Sequence, residues 1–402
     1  MRAANRAAST QWMGSRSKAR SRRKANYTSG VIPSLHDIDW HSFLARPLLP
    51  PPAPEALDLL RRQTILITGA GGSIGSALAM RLGELGPAKL ILLEASESNL
   101  FALERDWAAA SAANSGAACA MSPILGNVAD EALLDEIFAT HAPPIVFHAA
   151  AFKNVPLMEG QPLAAIANNI FATKDLTRIA TEHGARVVLL STDKSVAPAS
   201  VMGATKRVAE QIVLASGGSV LRLGNVLASR DSVAEIFARQ IVQGGPVTVT
   251  DPAARRYFLM LGEAVDLLLN AAAHSAPGAL FAPVLPATHF VADLARFMAR
   301  ELRPERKIAI EFTGPRAGDK ETEALWSVGD QFDAASLDGM VLVETMLPTE
   351  TQLSSGLANL RTALRARDLR EALTHLRTLV PDYTPGSALL ALAAECGPRV
   401  CQ

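Results

Sequence analysis

A strand-sized apolar run, Ile65-Leu66-Ile67, leads directly into Thr68-Gly69-Ala70-Gly71-Gly72-Ser73-Ile74-Gly75, and a helix-competent stretch follows as far as Leu85. Glycines at this spacing let the backbone turn tightly after a strand, and the N–H groups opening the helix are left to meet negative charge. Glu94 stands at the end of the next apolar run, at the roughly 20-residue offset that completes a dinucleotide-binding crossover. Gly69, Gly72, Ser73, Ile74 and Gly75 are therefore the expected contacts of a nicotinamide dinucleotide. A carboxylate at Glu94 would bind both ribose hydroxyls of NAD and repel the 2′-phosphate of NADP, so the expected cofactor is tightly bound NAD or NADP, with NAD favoured.

The same alternation continues along the chain. Leu90 to Leu93, Ile145 to Phe147 and Val187 to Leu190 are apolar runs that each precede a helical stretch. Strands that are apolar throughout and separated by helices imply a parallel sheet covered on both faces. The expected fold class is α/β, a Rossmann-type doubly wound parallel sheet with a smaller C-terminal substrate-binding α/β region. Asn127 and Val128 follow the third strand, where an acceptor would meet the adenine. Ala149 and Ala150 close the fourth strand with side chains small enough for the cofactor to lie on the backbone, although tight packing alone would also select alanine.

Residues 1–30 read as a basic disordered arm, because eight Lys and Arg precede the first acid, Asp37. Such an arm is a solvated tail or a weak peripheral contact for anionic lipid or another protein. Residues 31–63 read as a proline-rich linker with a short helix from Glu55 to Arg62, and 64–224 as the dinucleotide-binding domain. Residues 225–325 read as the substrate region interleaved with it, and 326–402 as a helical extension including Leu357 to Arg367 and Leu369 to Thr378. With 39 basic and 39 acidic side chains in 402 residues, nothing points to nucleic acid. No apolar run approaches the ~20 residues of a membrane helix, and no secretory signal is evident, so a cytoplasmic protein is expected. Cys119, Cys396 and Cys401 show no metal-ligand spacing, and no metal site is expected.

Chemistry concentrates after the run ending at Leu190. Ser191-Thr192-Asp193-Lys194 falls at the carboxyl edge of the sheet, and Met202 and Lys206 share one helix face where a dehydrogenase of this fold would offer Tyr-x-x-x-Lys. An Asp-Lys pair beside a hydride acceptor suits loss of water from C6 of a hexose. Lys194, if neutral, would take the C5 proton, and Asp193, if protonated, would give one to the departing hydroxyl. Thr192 would hold the C4 oxygen and Lys206 the nicotinamide ribose. Met202 moves no proton and reads equally as core filler, so the C4 hydroxyl proton is left to Asp193, Lys194 or Lys206. The plain alternative is an exposed Asp-Lys turn.

Together with the glycine segment, Phe147 to Glu159, Ser191 to Lys194, Val201 to Arg207, Arg222 to Val226 and Gly244 to Pro252 resemble the polysaccharide-biosynthesis nucleotide-sugar 4,6-dehydratases. These are extended short-chain dehydrogenase/reductases that typically act on UDP-N-acetylglucosamine, and the methionine form resembles a branch whose members usually carry membrane helices. The resemblance runs from about Val31 to Tyr383. It implies a homo-oligomer acting on a UDP-sugar, with Asn225, Arg256 and Arg316 around the diphosphate, Lys153 near sugar or cofactor, and Asn169 bracing the sheet edge. Asn154 stands where the family usually has His, Asp231 where it has Gly, and Arg255 where it has Thr. A 4-epimerase and a non-catalytic nucleotide-sugar-binding scaffold are the alternatives.

Overall fold

The computed structural model describes residues 34–113, 119–274, 276–333 and 339–395. The basic arm, Cys396 and Cys401 lie outside them. In the main sheet, seven of the described strands pair in parallel: β1 (Thr64–Thr68), β2 (Lys89–Glu94), β3 (Ala120–Leu125), β4 (Ile145–His148), β5 (Arg186–Thr192), β6 (Ser219–Leu223) and β7 (Leu280–Pro283). Their order is β3-β2-β1-β4-β5-β6-β7. The winding therefore reverses between β1 and β4, and ligands of such sheets dock outside the carboxyl ends at that reversal.

Successive strand side chains face opposite sides, so one apolar run feeds two cores. Ile65 and Ile67 pack with Leu78 and Leu82 of α1 (Ser73–Leu85). Leu66 faces the other way and joins Phe138 of α3 (Glu131–His141), Leu176 of α4 (Thr173–Glu182) and Val213 of α5 (Val201–Ala215). The β2 crossover helix is α2 (Glu97–Ala113).

Residues 225–325 share the main sheet, since β7 joins it beside β6. The rest forms a lobe in which α6 (Val233–Gln243) and α8 (Val291–Leu302) bury Phe237, Ile241, Leu294 and Met298, while α7 (Leu261–Ala273) returns to the main sheet. Residues 31–63 are more than a linker. Trp40, Phe43 and Leu44, on a short helix Trp40–Leu44, are buried in that lobe, and Arg46 makes a bidentate pair with Glu263 at 2.6 and 2.8 Å. The expected helix at Glu55 to Arg62 is shorter, Pro54–Asp58.

The C-terminal part, expected to be helical, opens with two strands, β8 (Gln331–Asp333) and β9 (Met340–Glu344), which add antiparallel to the main sheet beyond β7. Met340, Val341 and Val343 are buried there, so this segment serves the sheet core. Helices α9 (Glu350–Ala366), α10 (Leu369–Leu379) and α11 (Ser387–Glu395) follow and bury Leu357, Leu360, Leu373 and Leu376 in one cluster with Val208 and Ile212 of α5. Among the described residues no helix is long and apolar enough to cross a membrane, and no cluster of His, Cys, Asp or Glu could hold a metal.

Candidate active site

The glycine loop has the shape of an anion cradle. Gly69 adopts φ +66°, and a Cβ there would lie 2.7 Å from Ala150 N; one on Gly75 would lie 2.2 Å from Gly69 O. α1 begins at Ser73 behind an N-cap glycine, Gly72, with no side chain capping it, so its first N–H groups remain available. Ala149 N donates to Thr68 O at 3.1 Å and brings Ala149 and Ala150 against the loop. These residues fit the pyrophosphate of a dinucleotide.

Glu94 is buried at the end of β2, and both its oxygens are engaged. Oε2 accepts from Gly71 N at 2.8 Å and Oε1 from Ser96 N at 2.9 Å, so the carboxylate shapes the glycine loop. Asn127 Oδ1 accepts from Ala129 N at 2.9 Å, which engages the acceptor expected to face the adenine. The Val128 side chain is buried in the core, leaving only its backbone to a ligand.

Ser191 to Ser195 form the turn that carries the candidate catalytic residues. Thr192 Oγ1 donates to Asp193 Oδ1 at 2.9 Å, and Lys194 Nζ donates to the same oxygen at 2.9 Å and to Asn225 Oδ1 at 3.1 Å. The Asp193 side chain has 0% exposure against 20% for Lys194. Asp193 therefore does not present itself to a ligand, as its expected role requires, but communicates through Thr192 and Lys194. Its Oδ2 is buried without a hydrogen-bond partner. Met202, 3% exposed, lies in the core cluster with Val155 and Met158, as the filler reading expects. Lys206 is buried on the same helix, with no carboxylate at ion-pair distance among the described residues. Burial pulls its ammonium down to about 8, with Glu210 opposing.

Of two buried networks, the first holds this turn. Glu210 accepts from Ser191 Oγ and Ser195 Oγ, each at 2.6 Å, and from Arg222 Nε and Nη2 at 3.0 and 2.8 Å. Burial pushes the Glu210 carboxyl up, but the Arg222 guanidinium outweighs it and holds the group at about 2. The second network centres on His148. Thr173 Oγ1 donates to Asn169 O at 2.7 Å, so it accepts from His148 Nε2 at 2.9 Å, and Nδ1 accepts from Thr68 Oγ1 at 2.7 Å. Burial, with Lys206 nearby, lowers this imidazole to about 3, and it is a neutral strut between β1, β4 and α4. Asn169 donates to Phe152 O at 3.0 Å and Thr205 Oγ1 at 3.1 Å, fastening the loop after β4 to α5.

On the substrate side the expected residues do not all converge. Asn225 reaches Lys194. Arg256 is buried and donates to Arg255 O at 2.7 Å and Glu321 O at 3.0 Å. Arg316 is exposed and pairs with Asp319 at 3.0 Å. The segment carrying Arg316 is nonetheless drawn to the turn, because Lys320 Nζ donates to Val196 O at 2.8 Å. Lys153 Nζ donates to Arg230 O at 2.6 Å, on the loop after Val226. Glu210, Arg222, His148 and Arg230 are the structural residues that sequence reasoning passed over. The one local signal was the cation inside Arg222-Leu223-Gly224-Asn225.

The geometry agrees with comparisons to known proteins. The profile of a family described as polysaccharide biosynthesis protein matches residues 65–345. The capsular polysaccharide biosynthesis protein CapD of Staphylococcus aureus is 39% identical over 66% of this chain and 45% of its own length, so the chain spans less than half of that relative. A UDP-glucose 4-epimerase of Rickettsia canadensis is 34% identical over 68% of this chain and 81% of its own. Among solved structures, Pen from Bacillus thuringiensis superposes with a TM-score of 0.65 at 26% identity, covering 71% of this chain and 89% of that one. The matched span takes in the glycine loop, the Thr192-Asp193-Lys194 turn and the main-sheet strands from Ile65 of β1 through β9. On those grounds the chain belongs to the polysaccharide biosynthesis protein family.

Proposed function

We propose that this protein is a nucleotide-sugar 4,6-dehydratase that converts UDP-N-acetylglucosamine to a 4-keto-6-deoxy sugar nucleotide for polysaccharide synthesis. The observation that carries the reading is the hydrogen-bonded series Thr192, Asp193, Lys194 and Asn225 at the carboxyl edge of β5 and β6, beside a helix whose phenol position is Met202. Gly69 to Gly75, Glu94, Ala149, Ala150 and Lys206 would hold NAD or NADP, and Glu94 favours NAD. When bound, the dinucleotide would supply the hydride acceptor for C4 and the hydride donor for C6.

The side chains supply the proton work. Thr192 accepts the hydrogen bond of the C4 hydroxyl and passes its own proton along the bond to Asp193. Lys194, partly exposed beside the enclosed Asp193, takes the C5 proton in its neutral-amine form. Asp193 returns its proton through Thr192 to the C6 oxygen, which leaves as water. Lys194 then gives its proton back to C5, and all three groups end as they began. The C4 proton thus has an acceptor without a tyrosine.

Incubation of the purified protein with UDP-N-acetylglucosamine, followed by NMR, tests this. A C4 ketone with loss of the C6 hydroxyl is expected. Formation of the C4 epimer would favour the activity named for the Rickettsia relative. No change across several UDP-sugars would leave a binding scaffold.

A further inference from the structure

Arg230 ties together three crossovers of the dinucleotide half. Its N–H donates to Ser73 Oγ at 2.8 Å, its carbonyl accepts from Lys153 Nζ at 2.6 Å, and its guanidinium donates to Asn99 Oδ1. Ser73 opens α1, Asn99 lies in the first turn of α2 against Gly71, and Lys153 follows β4. All three places belong to the carboxyl edge where the glycine loop forms its cradle, yet they lie 157, 131 and 77 positions from Arg230.

The loop bearing Arg230 is held in a costly conformation. Ala228 and Asp231 both sit in the left-handed region, at φ 59° and 56°. Residues other than glycine adopt this region rarely, and such strain persists where the surroundings over-determine it. Here Asp231 N is fixed by Glu235 Oε2 at 2.7 Å and Ser229 Oγ by Val226 O at 2.8 Å. Neither Arg230 nor Lys153 has a carboxylate at ion-pair distance among the described residues, and Asp231 and Glu235 act on Lys153 only from farther away. Two cations without such partners are thus strapped over a cradle of free N–H groups, an arrangement that favours phosphate.

We propose that residues 228–232 are a clasp over the dinucleotide, in which Arg230 and Lys153 contact its phosphates and slow its release. This rests on the dinucleotide part of the reading above and not on the sugar chemistry. A dinucleotide that is borrowed from and restored in every cycle gains from such a clasp, because each release would interrupt turnover.

The test is the release rate of bound NADH, or of NADPH should that be the form taken up, followed by loss of its fluorescence on chase with the oxidised dinucleotide. Arg230→Ala should release it at least tenfold faster than the unsubstituted protein, Arg230→Lys should fall between, and Lys153→Met should move in the same direction. Arg230 is exposed, so the dinucleotide-free Arg230→Ala protein should melt with the parent. Unchanged release in Arg230→Ala and Lys153→Met would overturn the clasp, as would a parent protein that takes up neither dinucleotide. Faster release from a protein that dehydrates no UDP-sugar would support the clasp while sinking the sugar reading. Unchanged release from an active dehydratase would do the reverse.

Discussion

Thr192 Oγ1 donates a 2.9 Å hydrogen bond to Asp193 Oδ1, and Asp193 has no exposed surface of its own. The carboxylate thus reaches its surroundings through a hydroxyl as well as through Lys194. If that hydroxyl relays the proton, Thr192→Val, which keeps the shape and removes the relay, should lower kcat about 10²–10³-fold with KM little changed, in the range of acid–base catalysis. Thr192→Ser should retain most of the rate. Steady-state kinetics on both variants decide it; a Val variant within about threefold of the parent would remove Thr192 from the proton path.

Met202 is buried among Val155, Met158 and Val201, and its place in the core is enough to explain it. Met202→Leu, a swap of similar volume, should cost less than about 1.5 kcal/mol and leave kcat within about threefold. Met202→Ala should cost about 2–5 kcal/mol through the cavity it opens. Urea unfolding together with turnover separates the two. A large kcat loss in Met202→Leu at unchanged stability would mean that the thioether acts in the chemistry.

The sheet, the cradle and the catalytic turn were legible because each is a run of neighbouring residues. Ile65 to Gly75 is strand, turn and helix start in one stretch, and Thr192 to Lys194 are consecutive. What was not legible depends on stacking the crossovers. Whether Asp193 is enclosed is decided by the elements packed around it, and Arg230 meets Ser73 only because the second lobe folds back over the first. Arg256 and Arg316 illustrate the same limit, since their guanidinium groups are engaged by Glu321 O and Asp319 in a way no local pattern encodes. The strands at Gln331–Asp333 and Met340–Glu344 were missed because the flanking helical periodicity dominated the reading of the C-terminal part.

Glu210 and Arg222 form a fully buried pair that also holds Ser191 and Ser195. Glu210→Gln leaves Arg222 enclosed without its counter-charge and should cost about 3–5 kcal/mol. It should also lower turnover by loosening the catalytic turn. The folded-state carboxyl titrates near 2 against an ordinary 4.5. Its contribution is therefore complete above about pH 4.5 and fades as pH falls toward 2. Unfolding free energy measured against pH should show this acid slope in the parent, and a shallower one in Glu210→Gln.

Lys206 carries a cost in the opposite direction. Its ammonium is held near 8 by burial, against an ordinary 10.5. Between those values the unfolded chain binds a proton that the folded chain has released, so stability should rise with pH from about 8 to 10.5. Below 8 both states are protonated, and the folded state bears the full penalty of an enclosed charge, about 3 kcal/mol by the linkage relation. Lys206→Met should therefore be more stable than the parent at pH 7 by an amount of that order, with a flat profile through the alkaline range, while losing dinucleotide affinity and turnover. Chemical unfolding at pH 7 and 9.5 checks the first two, and dinucleotide titration the third. A Met variant less stable than the parent at pH 7 would show that Lys206 holds the fold together instead of being retained for the site.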